Sequence, residues 1–329
     1  MLINAAQSVL LALHTAPDPL EHVVNHAWKK TDSGWWIWSS NQGNLVLSGI
    51  ILIVVGLWVA SKVKTGDKSQ GSEAYVTRNK FAHMIEVICV YLREEVARPL
   101  LHDRTDKLMP FLWTIFFFIL VNNLLGLVPM GDVLHIIDHY TVGHDAHGHP
   151  NHGLTGLIGG TATQNIWVTG TLAVIAGIVF NGAAIIRLGP GGFVKHMMGG
   201  LPWYMFPIAL LLLIIEGAGQ FIIKPFALAL RLFANMTAGH VLVATLLGMA
   251  GFAIAGLIAA QNVGGNGIAA VVSAAAVVAL TFLELFVAFL QAFVFMFLTT
   301  IFISLMDHHD EHGHEHEHGH AHGHEHAHA

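Results

Sequence analysis

The sequence predicts an all-α polytopic membrane protein with about five membrane-crossing helices and one amphipathic helix on the cytoplasmic side. Three observations predict it. Hydrophobic residues make up 54% of the 329 and charged residues only 11%, with a mean hydropathy of +0.61, far from the composition of a soluble domain. Apolar windows of ~20 residues, enough to cross a ~30 Å hydrocarbon core, recur along the chain. Basic residues concentrate in one connection and are absent from the next, as expected of a chain threaded back and forth through a membrane.

Residues 1–44 read as an external N-terminal segment, and 45–306 as the membrane domain, with spans near 45–63, 109–130, 166–186, 203–256 and 268–306. The short apolar run Val9 to Leu13 has no basic region before it and no clear small-residue cleavage site after it, so it is not read as a signal peptide. Of the 15 Lys and Arg, nine lie between positions 62 and 107 (Lys62, Lys64, Lys68, Arg78, Lys80, Arg93, Arg98, Arg104, Lys107), whereas 131–165 holds none. The positive-inside rule then puts 64–108 in the cytoplasm, the N-terminus and the His-rich 131–165 loop outside, Lys195 inside, and the C-terminus in the cytoplasm. Within 64–108, FAHMIEVICVYLREEVARPLL has near-helical apolar spacing, suiting an amphipathic helix on the membrane surface or against another subunit. Arg93, Arg98 and Arg104 read as its basic face. The lone cysteine, Cys89, excludes an internal disulfide framework and reads as a small core hydrophobe.

The last two apolar blocks are too long for upright spans. As helices, Trp203 to Gly251 would run ~70 Å and Ile268 to Met306 ~55 Å at 1.5 Å per residue, against a core of ~30 Å. The expected solution is a hairpin of two steeply tilted helices turned at Gln261 to Gly267 (QNVGGNG), which demands a protein surface beside it. Arg231 lies deep in the first arm. A permanently charged guanidinium at that depth costs at least ~2.5–3.5 kcal/mol, so it marks a partner or a wet path. At 100° per residue Lys224, Arg231 and Asn235 share one side of this helix, and His240, nine residues after Arg231, points to the other. On the second arm Glu284 and Gln291, seven apart, share a face. A histidine able to meet a glutamate across the hairpin, with an amide nearby, has the parts of a proton path; each residue read alone is equally a helix-packing hydrogen bond.

KPFALALRLFANMTAGH (224–240) and ELFVAFLQAFVFMFLTTIFISL (284–305) resemble the two signature helices of subunit a of the bacterial F-type ATP synthases, and NNLLGLVP (122–129) matches an earlier family segment. The resemblance covers roughly 45–306. It implies a non-catalytic stator subunit whose hairpin lies along the c-subunit ring and whose two half-channels load and unload the ring's carboxylates during proton-driven ATP synthesis. It assigns Arg231 to the c-ring carboxylate and Asn235, His240, Glu284 and Gln291 to the proton path, with His240 and Glu284 in one of the two orders members show. Glu216 stands for a half-channel glutamate, but one residue farther from Lys224-Pro225 than the family spacing. The implied partners are the c-ring, the peripheral-stalk b subunits, other ATP synthase subunits and the lipid bilayer, in a bacterial inner membrane, with no nucleic acid, no cofactor and no metal. No GxxxxGK[ST] loop is present, so nucleotide chemistry is expected in partner subunits.

Two other classes compete on the residues alone. A proton-coupled secondary transporter would use the same Arg and His/Glu relay, but the 203–306 hairpin has no repeat in the first half. A divalent-metal transporter is suggested by 24 histidines, of which only His240 lies deep in an apolar span. The loop GHDAHGHPNHG (143–153) and the tail 307–329 are not family features. The tail, with eleven histidines alternating mostly with Glu, Gly and Ala, reads as a low-complexity disordered spacer, with adventitious metal binding or local proton buffering as its alternatives.

Overall fold

A backbone crossing hydrocarbon must satisfy its N–H and C=O groups within its own segment, which for a single apolar span only a helix achieves. A computed structural model of the chain describes residues 27–30, 33, 36–63, 77, 79–128, 162–199, 201, 205–258 and 263–305, nearly all of them helical. The first 26 residues, most of the His-rich loop and the His-rich tail lie outside the described residues. In order, the elements are β1 (Ala27–Lys30), β2 (Trp36–Ser39), α1 (Ser40–Lys62), α2 (Lys80–Tyr91), a π turn (Leu92–Ala97), α3 (Arg98–Leu101), α4 (Thr105–Leu127), α5 (Ile166–Met197), α6 (Phe206–Ala218), a second π turn (Gly219–Ile223), α7 (Lys224–Ile258) and α8 (Val263–Leu305). Five helical runs are long and apolar enough to cross a membrane: Ser40–Lys62, Lys80–Leu127, Ile166–Met197, Phe206–Leu257 and Gly264–Leu305. The chain is an all-α, multi-pass membrane protein.

Local chemistry sets the ends and breaks. Asn79 caps α2, its side chain accepting from the N–H groups of Phe81 and Ala82 at 3.0 and 3.1 Å. Within α5 the chain kinks at Gly189, with φ 68° and ψ 161°. Pro190 explains it: proline donates no N–H and keeps the preceding residue out of the α region, and glycine adopts the left-handed alternative without a Cβ penalty. The expected third span, 166–186, stops just short of this kink.

Three features differ from the sequence-based expectation. β1 and β2 form a small antiparallel hairpin pairing Ala27 with Ser39 and Lys30 with Trp36, within a stretch expected only as an external segment. The second membrane-length run begins at Lys80, so the amphipathic segment continues toward α4 through the π turn and α3. The expected turn at Gln261 to Gly267 is shorter, because α8 starts at Val263. Glycines 264, 265 and 267 sit in its first turn or just after, where the N–H groups lack intrahelical acceptors anyway, so the loss from glycine there is small. Asn266 lies so close to Gly256 that a Cβ on the glycine would collide with its side chain.

The chain divides into two compact units, one from Met1–Gly56, Phe117–Thr169 and Ala229–Ala292, the other from Leu57–Phe116, Gly170–Leu228 and Phe293–Ala329. In the second, Ala184, Phe193 and Met197 form a buried cluster closed by Leu188 and Leu213. Phe180 meets Phe302 edge-on at 5.6 Å, Arg104 donates to the Ala183 carbonyl at 3.1 Å, and Trp113 donates to the Cys89 carbonyl at 3.1 Å. Helices α5 and α7 approach closely there, a Cβ on Gly177 standing 3.1 Å from Pro225 Cγ. A branched side chain therefore cannot enter without moving a rigid ring. Gly177→Val should cost ~1–3 kcal/mol by overpacking, whereas Gly170→Val, where a Cβ meets nothing within 4 Å, should be nearly silent. Thermal unfolding midpoints in one detergent check this, and equal midpoints for the two variants would refute the close approach.

Candidate functional site

Helix α7 carries three of the expected residues of the first unit: Arg231, Asn235 and His240. Arg231 is exposed, and among the described residues no carboxylate pairs with it. Asn235, one turn on, is partly exposed. Between them Leu232 is fully buried. The helix thus turns its aliphatic side into the unit and leaves its guanidinium outward.

His240, nine residues after Arg231, enters a polar pocket. Its Nδ1 lies 2.9 Å from the Met236 carbonyl oxygen and its Nε2 3.0 Å from that of Gly126. Glu284 Oε1, from α8, stands 3.7 Å from Nδ1, and both side chains are largely shielded, at 22% and 14% exposure. A neutral imidazole has one N–H, so it satisfies only one of the two carbonyls. A doubly protonated ring donates to both and faces the carboxylate at ion-pair distance. A change in the protonation of the ring therefore changes the hydrogen bonding of the whole cluster. Gly126 is among the last residues of α4, whose carbonyls have no intrahelical partner and carry the negative end of the helix dipole.

Gly239 makes the pair possible. A Cβ there would overlap the Glu284 carboxylate, with the Cδ and Cγ atoms both at 3.2 Å. Seven residues along α8 from Glu284, Gln291 is 6% exposed, and its Nε2 has no hydrogen-bond partner among the described residues. A buried amide with an open donor in an apolar chain is a costly group.

The structure adds a polar seam that reasoning from the residues missed. Asn123 is fully buried; its Nδ2 donates to the Ala288 carbonyl at 3.3 Å and its Oδ1 accepts from Thr163 at 3.0 Å. Its neighbour Asn122 accepts from Ser48 at 2.9 Å. Two adjacent asparagines inside an apolar span were the available signal, read only as part of a matching segment. Asn123 ties α4 to α8 one turn past Glu284 and so helps fix the height of the carboxylate.

Glu216, the last expected residue, belongs to the second unit. Its Oε1 accepts from Gln220 Nε2 at 3.0 Å and lies 4.0 Å from Lys224 Nζ. Among the described residues no group of three or more His, Cys, Asp or Glu is placed to hold a metal ion.

The family model described as ATP synthase A chain matches residues 44–304, most of this chain and every residue of the site. The chain belongs to the ATP synthase A chain family. It is 35% identical over 267 residues to "ATP synthase subunit a" of Chloroherpeton thalassium, covering 81% of this chain and 66% of that one. Similar proteins of that name from Anaeromyxobacter dehalogenans (37% over 234 residues, 70% and 50% covered) and Myxococcus xanthus (36% over 243 residues, 72% and 66% covered) agree. The chain spans about half to two thirds of the length of these relatives.

Gly239→Ala tests the geometry. The added methyl should push the Glu284 carboxylate away from His240 without disturbing insertion, because the atom in the way is the end of a flexible side chain. The Glu284 carboxylate 13C shift, followed in labelled protein, should move in Gly239→Ala and in His240→Ala alike. A signal unmoved by Gly239→Ala would remove the glycine from the site.

Proposed function

We propose that this chain is the proton-conducting stator subunit of an F-type ATP synthase in a bacterial inner membrane, working beside a c-subunit ring and held by peripheral-stalk b subunits. The observation that supports this most is the division of labour on α7: an outward guanidinium without a carboxylate partner among the described residues, and a shielded His240–Glu284 pair nine residues away. A fixed cation on an apolar helix face is stabilised by an anion brought to it, and a ring of partner carboxylates supplies one at each step. Family membership supports the same reading.

In this mechanism protons enter from outside along Asn235, His240, Glu284 and Gln291, the His240–Glu284 pair taking up and passing on a proton. They load a c-ring carboxylate, travel with the ring, and leave toward the cytoplasm past Glu216. Arg231 favours the ionised form of the carboxylate facing it, which releases the proton, and its charge repels a proton moving straight from one path to the other. Each elementary charge crossing 100 mV yields ~2.3 kcal/mol, so several are needed per ATP, which a multi-subunit ring collects. The chain itself performs no bond chemistry; nucleotide hydrolysis or synthesis belongs to partners.

Arg231→Ala in the assembled complex should abolish ATP-driven proton pumping in inverted vesicles, by ~100-fold or more given the role of a single electrostatic group in such a site. Assembled complex that pumps near the wild-type rate would reject the assignment. His240→Ala and Glu284→Ala should each impair pumping, and the double variant should lose much less than the sum, because each single change already breaks the relay. In a double-mutant cycle, strictly additive losses would count against direct coupling.

A further inference from the structure

The sequence places Glu216 eight residues before Lys224. In a regular α-helix two turns hold about 7.2 residues, so an eighth residue would carry Glu216 roughly 80° away from Lys224. The structure absorbs the extra residue. Between them lies the π turn Gly219–Ile223, in which the Lys224 N–H bonds to the Gly219 carbonyl, five residues back instead of four. Two turns now hold eight residues, and Glu216 and Lys224 return to one face, 4.0 Å apart.

Pro225 gives the physical cause. It has no N–H for the carbonyl of residue 221, and its ring crowds that carbonyl, so a widened turn just before it relieves the helix. The chain repeats the device: the π turn Leu92–Ala97, closed by an Arg98 N–H bond to the Arg93 carbonyl, stands before Arg98-Pro99. At the second site, unlike the first, the turn carries a buried amide aimed at a carboxylate. Gln220 is 2% exposed and donates to Glu216 Oε1 at 3.0 Å. Lys224 approaches the same oxygen, and its ammonium is steadied 5.3 Å over the Phe302 ring.

We propose that the π turn at 219–223 is a register device, and that Gln220 and Lys224 are positioning residues that clamp Oε1 of Glu216 and leave Oε2 as the proton-accepting oxygen. This rests on the reading of Glu216 as a proton-exit group. Lys224 and Gln220 act through the carboxylate and carry no proton themselves.

The test uses the assembled complex and two readouts. The first is the Lys224 15Nζ to Glu216 13Cδ dipolar coupling in labelled protein, independent of activity. A short contact, consistent with the 4.0 Å Nζ–Oε1 approach, is expected in wild type. The second is ATP-driven pumping in inverted vesicles. Deleting Ile222 converts the π turn to α-helix with Glu216 seven residues before Lys224, so the coupling and most of the pumping should persist. Inserting one alanine after Ile222 should abolish the coupling and lower pumping roughly tenfold or more. Lys224→Met should lower pumping and Lys224→Arg restore it; Gln220→Leu should lower it with the coupling weakened. No short coupling in wild type, an insertion that pumps normally, or Lys224→Met indistinguishable from wild type would each overturn the proposal. If the Ile222 deletion does not assemble, the insertion and the Lys224 and Gln220 variants decide. Glu216→Gln separates the two readings: normal pumping by it with the wild-type coupling intact removes Glu216 from the exit path while leaving the register device standing.

Discussion

An ionisable or amide side chain inside an apolar helix is tolerable only where another polar atom meets it, and the arrangement of the first unit follows from that demand. His240 is met on both ring nitrogens by backbone carbonyls and at one side by Glu284. Asn123 is met by Thr163 and by the Ala288 carbonyl. These contacts tie α4, α7 and α8 together at one level, and Gly239 sets how near α7 and α8 come. Moving any of these helices by a fraction of a turn would leave an amide, an imidazole or a carboxylate buried without company.

Much of this was legible in the residues. Apolar length predicted about five membrane-crossing helices, and five helical runs are long and apolar enough to cross, since hydropathy reports directly on the cost of burying backbone and side chain in lipid. Helical periodicity placed His240 opposite Arg231, and the structure has Arg231 exposed and His240 shielded beside Glu284. What periodicity could not supply were partners donated by the backbone. The Gly126 carbonyl that receives His240 leaves no trace in the one-letter string, because every residue has a carbonyl and only the position of the helix end frees it. Asn123 and Thr163 lie forty positions apart, beyond any local pattern.

The spacing of Glu216 shows a different limit: at 100° per residue its eight positions to Lys224 would set the two about 80° apart, yet they share a face. Counting residues assumes 100° for each, and the π turn breaks that assumption at the one place where the extra residue falls. Lys224-Pro225 is plain in the sequence; its consequence, a wider turn on the N-terminal side and not a stop, is not. Proline here is compatible with a continuous helical run because the altered hydrogen bonding is taken up within four or five residues.

Arg231 and His240 represent two ways for one helix to carry charge through an apolar region. His240 is met from within the chain, by two backbone carbonyls and by the Glu284 carboxylate. Arg231 cannot exchange a proton under ordinary conditions and has been left facing outward. Its own face of the helix supports that reading: Ala227, Ala234 and Ala238, at −4, +3 and +7 from Arg231, are exposed as well. Lipid alone would cover the aliphatic part of such a surface but would leave the guanidinium without an anion. A protein surface that is itself apolar and presents a carboxylate at the matching depth satisfies both halves at once, so the exposed side of α7 specifies the chemistry of its neighbour more closely than any buried residue does.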